Sequence, residues 1–421
     1  MFKFLHAADI HLDSPLKGLE RYEGAPVDDI RGATRRALEN LVALAIEEEV
    51  AFVLIVGDLY DGDWRDYNTG LFFVKQMASL READIPVYLV SGNHDAQSKM
   101  TKNLPMPDNV RWLSARKPET VQLEEFGVAL HGQGFEKQAV TENLAISYPD
   151  GIPGLFNIGL LHTCAEGREG HEPYAPCLPR ELLAKNYSYW ALGHVHKRET
   201  IHDDPPIRFP GNTQGRNVRE LGPKGCLVVS ADPSANAEAE FHALDILRWQ
   251  VCDIDASTCD TEDDVLDAFT VQIKELLRDS DNRMLALRVV VTGASKAHDV
   301  IAAKLSSFAN AVRATANDYG RDTVWVEKVQ IRSGPLRLIR AAETDGGPVG
   351  ELLQLIKELH DNDANLVEVG QCLDSLSSDL PVELREEPDA LNLKHPDKLR
   401  EILEHVKPML LNRLLHRVGS A

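Results

Sequence analysis

The sequence predicts a multidomain α/β protein, and three observations indicate this class. At 421 residues the chain is too long for one ordinary core, because domains cluster near ~100 to 200 residues. Hydrophobic residues at 43% and charged residues at 26% are close to the averages of globular proteins. Up to about residue 230, short β-branched runs alternate with segments of helical periodicity, which is typical of strand, helix, strand units with parallel pairing.

The elements of this first region follow in order along the chain. The pattern predicts strands at 2–8, 52–56 and 86–90, separated by amphipathic helices at 27–50 and 68–82. Further apolar runs predict strands at 128–131, 156–161, 189–192 and 226–229. The result is an α/β domain in which successive strands alternate with helices.

The remainder of the chain changes character near residue 253. Here the pattern predicts helix 262–278, strand 284–291, helix 297–316 and strand 323–331, which together form a small α+β unit. Gly346, Gly347 and Pro348 mark the next break, and 349–418 has helical periodicity interrupted by prolines. We therefore predict domains at 1–253, 254–345 and 346–421.

Charge and composition limit the function classes. A net charge of -21 disfavours non-specific attraction to nucleic acid or anionic membranes, so a phosphodiester would have to be attracted by bound cations. No segment reaches the ~18 apolar residues of a membrane helix. The six cysteines include no CxxC pair, which fits free thiols in a reducing compartment. We expect a cytoplasmic protein without membrane attachment.

Side chains that can bind metal follow five of the predicted strands, at the point where each strand ends. They are Asp9 and His11, Asp58 and Asp61, Asn93 to Asp95, His162, and His194 and His196. In open α/β sheets, ligands gather at the carboxyl ends of the strands. One Asp-x-His alone would mean little, but three consecutive strands that each end in such residues make coincidence the weaker explanation.

The donor types indicate which metals the site would bind. The predicted ligands are Asp9, His11, Asp58, Asn93, His162, His194 and His196. Seven donors exceed one tetrahedral site, and none is a thiolate, so the set predicts two octahedral-type divalent ions, with manganese fitting better than structural zinc. Asp58 is the natural bridge, because one carboxylate can hold two ions ~3.5 to 4 Å apart.

This ligand set predicts hydrolysis of a phosphoester. Two divalent ions lower the pKa of a shared water, and the resulting hydroxide attacks phosphorus in line with the leaving oxygen. His94 follows Asn93 directly and is placed to stabilise or protonate that oxygen as a general acid.

The ordered motifs Asp-x-His, Gly-Asp-x-x-Asp, Gly-Asn-His-Asp, a later His and Gly-His-x-His resemble the calcineurin-like metallophosphoesterases, over about 190 residues. The length, the opening residues 4–15 and the C-terminal appendages narrow the resemblance to DNA repair exonucleases of the SbcD type, in the YhaO-like branch. The resemblance implies a four-layer metallophosphoesterase sandwich with a small α+β capping domain and C-terminal helices.

The same resemblance implies roles for individual residues. One ion would be bound by Asp9, His11, Asp58 and His196, the other by Asp58, Asn93, His162 and His194, while His94 acts on the phosphate and its leaving group. Asp61 stands where some relatives carry a second active-site histidine, so that histidine's role does not transfer. The simplest expectation is that Asp61 orients a ligand histidine and that Asp95 does the same for His94.

Substrate contacts and partners are the remaining expectations. Arg216 is a candidate phosphate contact and Trp64 a candidate for stacking on a base, against the plainer interpretations of a surface cation and a packing residue. The resemblance implies DNA as substrate and an SMC-like (SbcC-type) ATPase docked on the terminal helices, and it allows a homodimer. We predict a metal-dependent DNA exonuclease or endonuclease subunit. The alternatives are a phosphodiesterase or phosphatase for a small molecule or nucleotide, and a scaffold with a vestigial site.

Overall fold

The computed structural model describes residues 1–14, 27–61, 67–97, 105–165, 174–232, 237–320, 322–335, 347–372, 396–400, 402–403 and 406. The chain forms two compact units. The first consists of Met1–Gln250 with Ser280–Ala286, and the second of Val251–Asp279 with Leu287–Ala421. The boundary predicted after residue 253 lies within a strand, Leu247–Asp255.

The first unit contains two six-stranded sheets. The strands of the first sheet are β1 (Phe2–Ala7), β2 (Phe52–Val56), β3 (Val87–Val90), β4 (Val110–Trp112), β11 (Gly225–Ala231) and β12 (Ala237–Ala243). The strands of the second are β5 (Glu119–Leu123), β6 (Val128–Gln133), β7 (Phe156–His162), β8 (Tyr189–Gly193), β9 (Glu199–His202) and β10 (Ile207–Phe209). Their spatial orders are β12-β11-β1-β2-β3-β4 and β5-β6-β7-β8-β10-β9.

Strands β1 to β4 are parallel to one another, and so are β6, β7 and β8. Three antiparallel strands, β5, β11 and β9, pair with β6, β1 and β10 respectively, and β12 is antiparallel to β11. Each group of parallel strands presents its carboxyl ends at one edge of its sheet. The predicted parallel α/β arrangement is therefore confirmed.

Three apolar cores separate four layers. Helices α1 (Val27–Glu47) and α2 (Tyr67–Glu82) cover the outer face of the first sheet, where Leu41 and Phe73 pack against Ile55. The second core lies between the two sheets and includes Phe4 and Ile158. A third lies on the outer face of the second sheet and includes residues of helix α4 (Pro179–Leu183). The four-layer sandwich is confirmed.

Most of the three-stranded sheet β13-β14-β16 lies in the second unit, a small α+β structure, with β13 at Leu247–Asp255, β14 at Met284–Thr292 and β16 at Val324–Ile331. The first residues of β13 and β14 belong to the first unit. Helix α5 (Glu262–Arg278) begins at a capping box, because the Thr261 hydroxyl accepts from Asp264 N and the Asp264 carboxylate accepts from Thr261 N. The helix predicted at 297–316 is divided at Lys304 into α6 (His298–Ala303) and α7 (Leu305–Asn317).

The remaining elements are short. Helix α3 (Asn93–Gln97) follows β3, and the two-residue strands β15 (Ala294–Ser295) and β17 (Gly334–Pro335) pair in parallel. Helices α8 (Pro348–His360) and α9 (Asp363–Cys372) follow, and Leu366 of α9 packs with Leu399 in a small apolar cluster. Over the residues described, no helix has both the length and the apolar character needed to cross a membrane.

Candidate active site

The predicted ligands lie where strands from both sheets end. Asp9 and His11 follow β1, Asp58 follows β2, Asn93 follows β3, and the histidines come from β7 and from the end of β8. The backbone turns sharply at these points, with positive φ at Asp9 (51°), His11 (46°) and Asp58 (49°). His11 N donates to Asp58 O at 2.9 Å, so the loops after β1 and β2 support each other. Such uncommon backbone angles outside glycine cluster at functional sites.

Glycines allow the strand ends to approach one another. A Cβ on Gly57, whose φ is +82°, would lie 2.1 Å from His162 Nδ1, and one on Gly92 would lie 2.2 Å from Asp58 Oδ1. A Cβ on Gly193 would lie 1.9 Å from the carbonyl oxygen of Val56. Real side chains do not tolerate such distances, so glycine before these motifs lets the two sheets deliver ligands to one place.

All seven predicted ligands converge at this place. Their donor atoms form overlapping groups: Asp9, His11 and His196; Asp58, His162 and His194; and His11, Asp58 and His94, with ligand atoms within 4.8 Å of one another in each. Asn93 Oδ1 joins them at 3.1 Å from His162 Nε2. Asp58 belongs to two groups, which is the arrangement expected of a bridging carboxylate.

The chemistry of these donors fits divalent cations. His11 Nε2 and His196 Nε2 face each other at 3.1 Å, with Asp9 Oδ1 at 3.7 Å from His196 Nε2. Burial, with a contribution from the nearby Arg216, lowers the pKa of His11 to about 3, so its ring is neutral and can offer a lone pair. Buried carboxylates and imidazoles around one gap are a donor set for metal ions.

Asp58 and His162 form a buried pair of opposite charge within the site. Burial opposes ionisation of Asp58, but His162 and the other imidazoles outweigh it and hold the Asp58 pKa far below its ordinary value. Conversely, burial acts to lower the pKa of His162, and the charge of Asp58, 3.4 Å away, raises it to about 9. A cation at this position would take over the role of the His162 proton.

His94 and Asp61 form a hydrogen-bonded pair beside the ligands. His94 N donates to Asp58 Oδ1 at 2.9 Å, and His94 Nδ1 lies 3.0 Å from Asp61 Oδ1. Burial alone would lower the His94 pKa, but the carboxylates of Asp61 and Asp58 raise it. Asp61 also lies 3.7 Å from His11 Nδ1 and accepts from Ser14 Oγ at 2.5 Å. Asp61 thus lies between a predicted ligand histidine and His94.

Asp95 has a different position from the one expected. Its carboxylate accepts from the backbone N–H groups of Leu59, Tyr60 and Gly92 at 3.2, 3.0 and 3.0 Å, rather than orienting His94. The reason is that helix α3 directs this side chain back towards the loop after β2. Burial, then the charge of Asp58, raises the pKa of Asp95 to about 7. Asp95 therefore joins two ligand-bearing loops.

Arg216 lies at the site, where its main partner is Glu220, a residue that the sequence patterns do not indicate. The Arg216 Nη1 atom is 3.9 Å from Asp61 Oδ2, while Nη2 lies 3.0 Å from Glu220 Oε1. Glu220 also lies 2.8 Å from His196 Nδ1. No motif or periodicity singles out this glutamate, because it lies in an irregular segment. Trp64 lies outside the described residues.

The comparisons with known proteins agree with this site. Residues 2–198 match the family model for calcineurin-like phosphoesterases, and residues 249–334 match the model for the middle domain of metallophosphoesterase YhaO. The chain therefore contains a calcineurin-like metallophosphoesterase domain followed by a YhaO-type middle domain, which confirms the predicted family and is consistent with the YhaO-like branch.

Individual relatives are similar over part of their length. The chain is 34% identical to metallophosphoesterase YhaO of Bacillus subtilis over 258 residues, which are 60% of this chain and 63% of that protein. It is 27% identical over 213 residues to the DNA double-strand break repair protein Mre11 of Sulfurisphaera tokodaii, covering 48% of this chain and 51% of that protein. The Mre11 protein of Saccharolobus solfataricus is also 27% identical, over 48% of this chain and 52% of its own length.

Proposed function

We propose that this chain is a metal-dependent phosphodiesterase that cleaves DNA as the nuclease subunit of a DNA repair complex. The observation that carries the hydrolase proposal is the convergence of seven metal-binding side chains from two sheets, with His94 beside them. The choice of DNA rests on the similarity to relatives named as DNA double-strand break repair proteins.

The donor set would hold two ions. Asp9, His11, Asp58 and His196 would bind one, and Asp58, Asn93, His162 and His194 the other; the mixture of carboxylate, imidazole and amide donors favours manganese. When bound, such ions lower the pKa of the attacking water and neutralise charge on the phosphate.

His94 is suited to donate a proton to the leaving oxygen. The Asp61 carboxylate at 3.0 Å from His94 Nδ1 orients the ring and stabilises its protonated form. With Nδ1–H directed at Asp61, the Nε2–H group remains to donate to the ester oxygen as the bond to phosphorus breaks. The side chain of His94 is 35% exposed, so a substrate would be able to reach the ring.

Arg216 would assist with the phosphate. Its guanidinium lies beside Asp61 and next to the ligand His196, so it adds positive charge to a protein whose net charge is -21. An arginine at this place favours a phosphate locally, where the surface as a whole repels it.

The appendages would serve DNA and a partner. We propose that the middle domain positions DNA and that the helices after residue 345 dock an SMC-like ATPase, which would contribute much of the DNA binding. Helix α8 is amphipathic and carries Leu355, which is 52% exposed, so it offers an apolar surface to a partner helix.

The test is an assay of the full chain with Mn²⁺ on labelled duplex DNA, single-stranded DNA and bis(p-nitrophenyl) phosphate, with and without an SbcC-type ATPase from the same organism. We expect metal-dependent cleavage of DNA that a chelator stops. His94→Ala should lose it and His202→Ala, outside the site, should keep it. Cleavage of the small ester alone would replace the nuclease with a small-molecule phosphodiesterase, and no cleavage of any substrate would refute the hydrolase.

A further inference from the structure

A buried carboxylate lies against the ring nitrogen of His196 that does not face the other ligands. His196 Nε2 is 3.1 Å from His11 Nε2 and 3.7 Å from Asp9 Oδ1, whereas His196 Nδ1 is 2.8 Å from Glu220 Oε1. The imidazole thus bridges between the candidate metal centre and Glu220. Metal-binding histidines are commonly oriented in this way by a carboxylate on the second nitrogen.

The carboxylate of Glu220 is fully engaged. It accepts from Arg216 N at 2.7 Å, from Arg216 Nη2 at 3.0 Å and from Asn212 Nδ2 at 2.8 Å, in addition to His196. The partners of Glu220 from Arg216 and Asn212 are all N–H donors, so both carboxylate oxygens act as acceptors, which is the only role an ionised carboxylate has in a hydrogen bond.

This acceptor determines the proton position on His196. Since Glu220 Oε1 accepts at 2.8 Å, Nδ1 must carry a proton, and in the Nδ1–H tautomer the Nε2 lone pair faces Asp9 and His11. Arg216 Nη2 also lies 3.2 Å from Nδ1, but Arg216 can only donate, so this longer contact cannot be a hydrogen bond once Nδ1–H donates to Glu220 Oε1 at 2.8 Å.

The segment that holds Glu220 is itself anchored. Gln214 Nε2 donates to Leu247 O at 2.7 Å and its Oε1 accepts from Ile246 N at 2.8 Å, while Trp249 Nε1 donates to Gly215 O at 3.1 Å. A Cβ on Gly215 would lie 2.8 Å from Glu220 O, so the segment is closely packed. These contacts hold the carboxylate on a rigid support.

We infer that Glu220 is a positioning residue for His196: it fixes the tautomer in which Nε2 binds an ion, and it holds Arg216 beside that ion. The inference rests on the proposed role of His196 as a metal ligand. Glu220 is not itself one of the seven proposed ligands, and it would act on the ion position through the imidazole of His196.

The first test observes the tautomer directly. Nitrogen NMR of the metal-free, ¹⁵N-histidine-labelled wild-type chain at about pH 8 distinguishes Nδ1–H from Nε2–H, with the His196 signals assigned by comparison with His196→Gln. We expect the Nδ1–H form. The Nε2–H form would overturn the inference, and because this measurement uses the wild-type protein, it is independent of any folding failure in a variant.

The second test measures Mn²⁺ binding by calorimetry in wild type, Glu220→Gln and Glu220→Ala, with Glu240→Gln on the exposed face of β12 as a matched control. We expect Glu220→Ala to weaken one of two binding events by about 10- to 100-fold, Glu220→Gln to weaken it less, and the control to match wild type. Unchanged affinity at both positions in Glu220→Ala would overturn the inference. If the wild type binds two Mn²⁺ ions but cleaves no phosphodiester, and Glu220→Ala weakens one of these binding events, the proposed function fails while the role of Glu220 stands.

Discussion

Asp58 is the residue on which both proposed ion positions depend. Its carboxylate belongs to the groups formed by His11 and by His162, and it accepts from His94 N. Asp58→Asn removes one negative charge that would face two dications, so we expect bound metal to fall and phosphodiester cleavage to be abolished. Metal analysis of the purified protein and an assay on bis(p-nitrophenyl) phosphate check this. Two bound ions with full activity would show that Asp58 is not the bridge.

His94 tests the division between metal binding and proton transfer. A ring nitrogen of His94 lies within 4.8 Å of donor atoms of His11 and Asp58, so the ring could bind metal. Its Nδ1 contacts Asp61, so the ring could instead be held for proton transfer. We expect His94→Ala to keep both ions and to lower kcat by about 100- to 10,000-fold, the usual cost of losing a general acid.

The measurement for His94→Ala is Mn²⁺ stoichiometry by calorimetry beside steady-state kinetics, with His202→Ala as the control. His202 lies on β9, and its Nδ1 contacts Pro205 O at 3.0 Å, outside the candidate site. A His94→Ala protein with one ion missing would make His94 a ligand, in agreement with the group that it forms with His11 and Asp58.

At the scale of elements, His6 joins the two sheets through their shared core. His6 on β1 contacts the Tyr189 hydroxyl of β8 through Nδ1 and Leu192 O through Nε2, each at 3.1 Å. Burial lowers the pKa of His6 from 6.5 to about 3. In the unfolded chain His6 is protonated below about pH 6.5, whereas in the folded chain it stays unprotonated down to about pH 3. The free energy of unfolding therefore falls as the pH falls from 6.5 to 3.

We expect His6→Asn to lower the free energy of unfolding at about pH 7.5 by about 1 to 3 kcal/mol, because buried hydrogen bonds are lost. At about pH 5, keeping His6 unprotonated in the folded state costs the wild type about 2 kcal/mol relative to the unfolded chain. His6→Asn does not have this cost, so the difference in the free energy of unfolding between the two proteins should be smaller than at about pH 7.5. Urea unfolding at both pH values checks this. Phe4→Leu in the same core changes no titratable group, so it should lower the free energy of unfolding equally at both pH values. If His6→Asn also lowered it equally at both pH values, the lowered pKa of His6 would be contradicted.

The long periodic elements could be predicted from the sequence, and the short ones could not. Strand β2 is a continuous apolar run because both its faces are buried, β7 is buried along its whole length, and α5 shows a clear apolar stripe. Strands β4 and β10 have only three residues each, too few for a period to be visible. The break at Lys304 within the predicted helix had no proline or glycine to indicate it.

In the candidate site, too, some features could be predicted from the sequence and others could not. The convergence of the proposed ligands could be predicted because each of these residues lies at or just after the end of a recognisable strand, and the ends of neighbouring parallel strands meet at one edge of a sheet. Glu220 and the true contacts of Asp95 could not, because they depend on how irregular loops fold against one another. Hydrogen bonds between irregular loops are not associated with any regular spacing of residues in the sequence.

For the whole molecule, net charge and domain organisation bear on how DNA would be bound. A chain with net charge -21 repels a polyanion at long range, and ions at the site would offset this only locally. A partner that supplies a positive surface would offset this repulsion, which is why we propose that the terminal helices dock such a partner. The chain covers 63% of its Bacillus subtilis relative and about half of the archaeal ones, so the partner remains a proposal for this protein.

Removal of the terminal region tests that assignment. Of the residues described after 345, α8 and α9 pack together and Leu366 packs with Leu399, so this region has a small apolar cluster of its own. We expect a chain ended at Gly346 to stay soluble and to hydrolyse bis(p-nitrophenyl) phosphate with Mn²⁺ at the wild-type rate, because every proposed ligand lies between Asp9 and His196. We expect the full chain to co-purify with the SbcC-type ATPase and the shortened chain not to do so. Precipitation, or loss of metal-dependent turnover, would mean that these helices stabilise the folded core and are not a separable docking module.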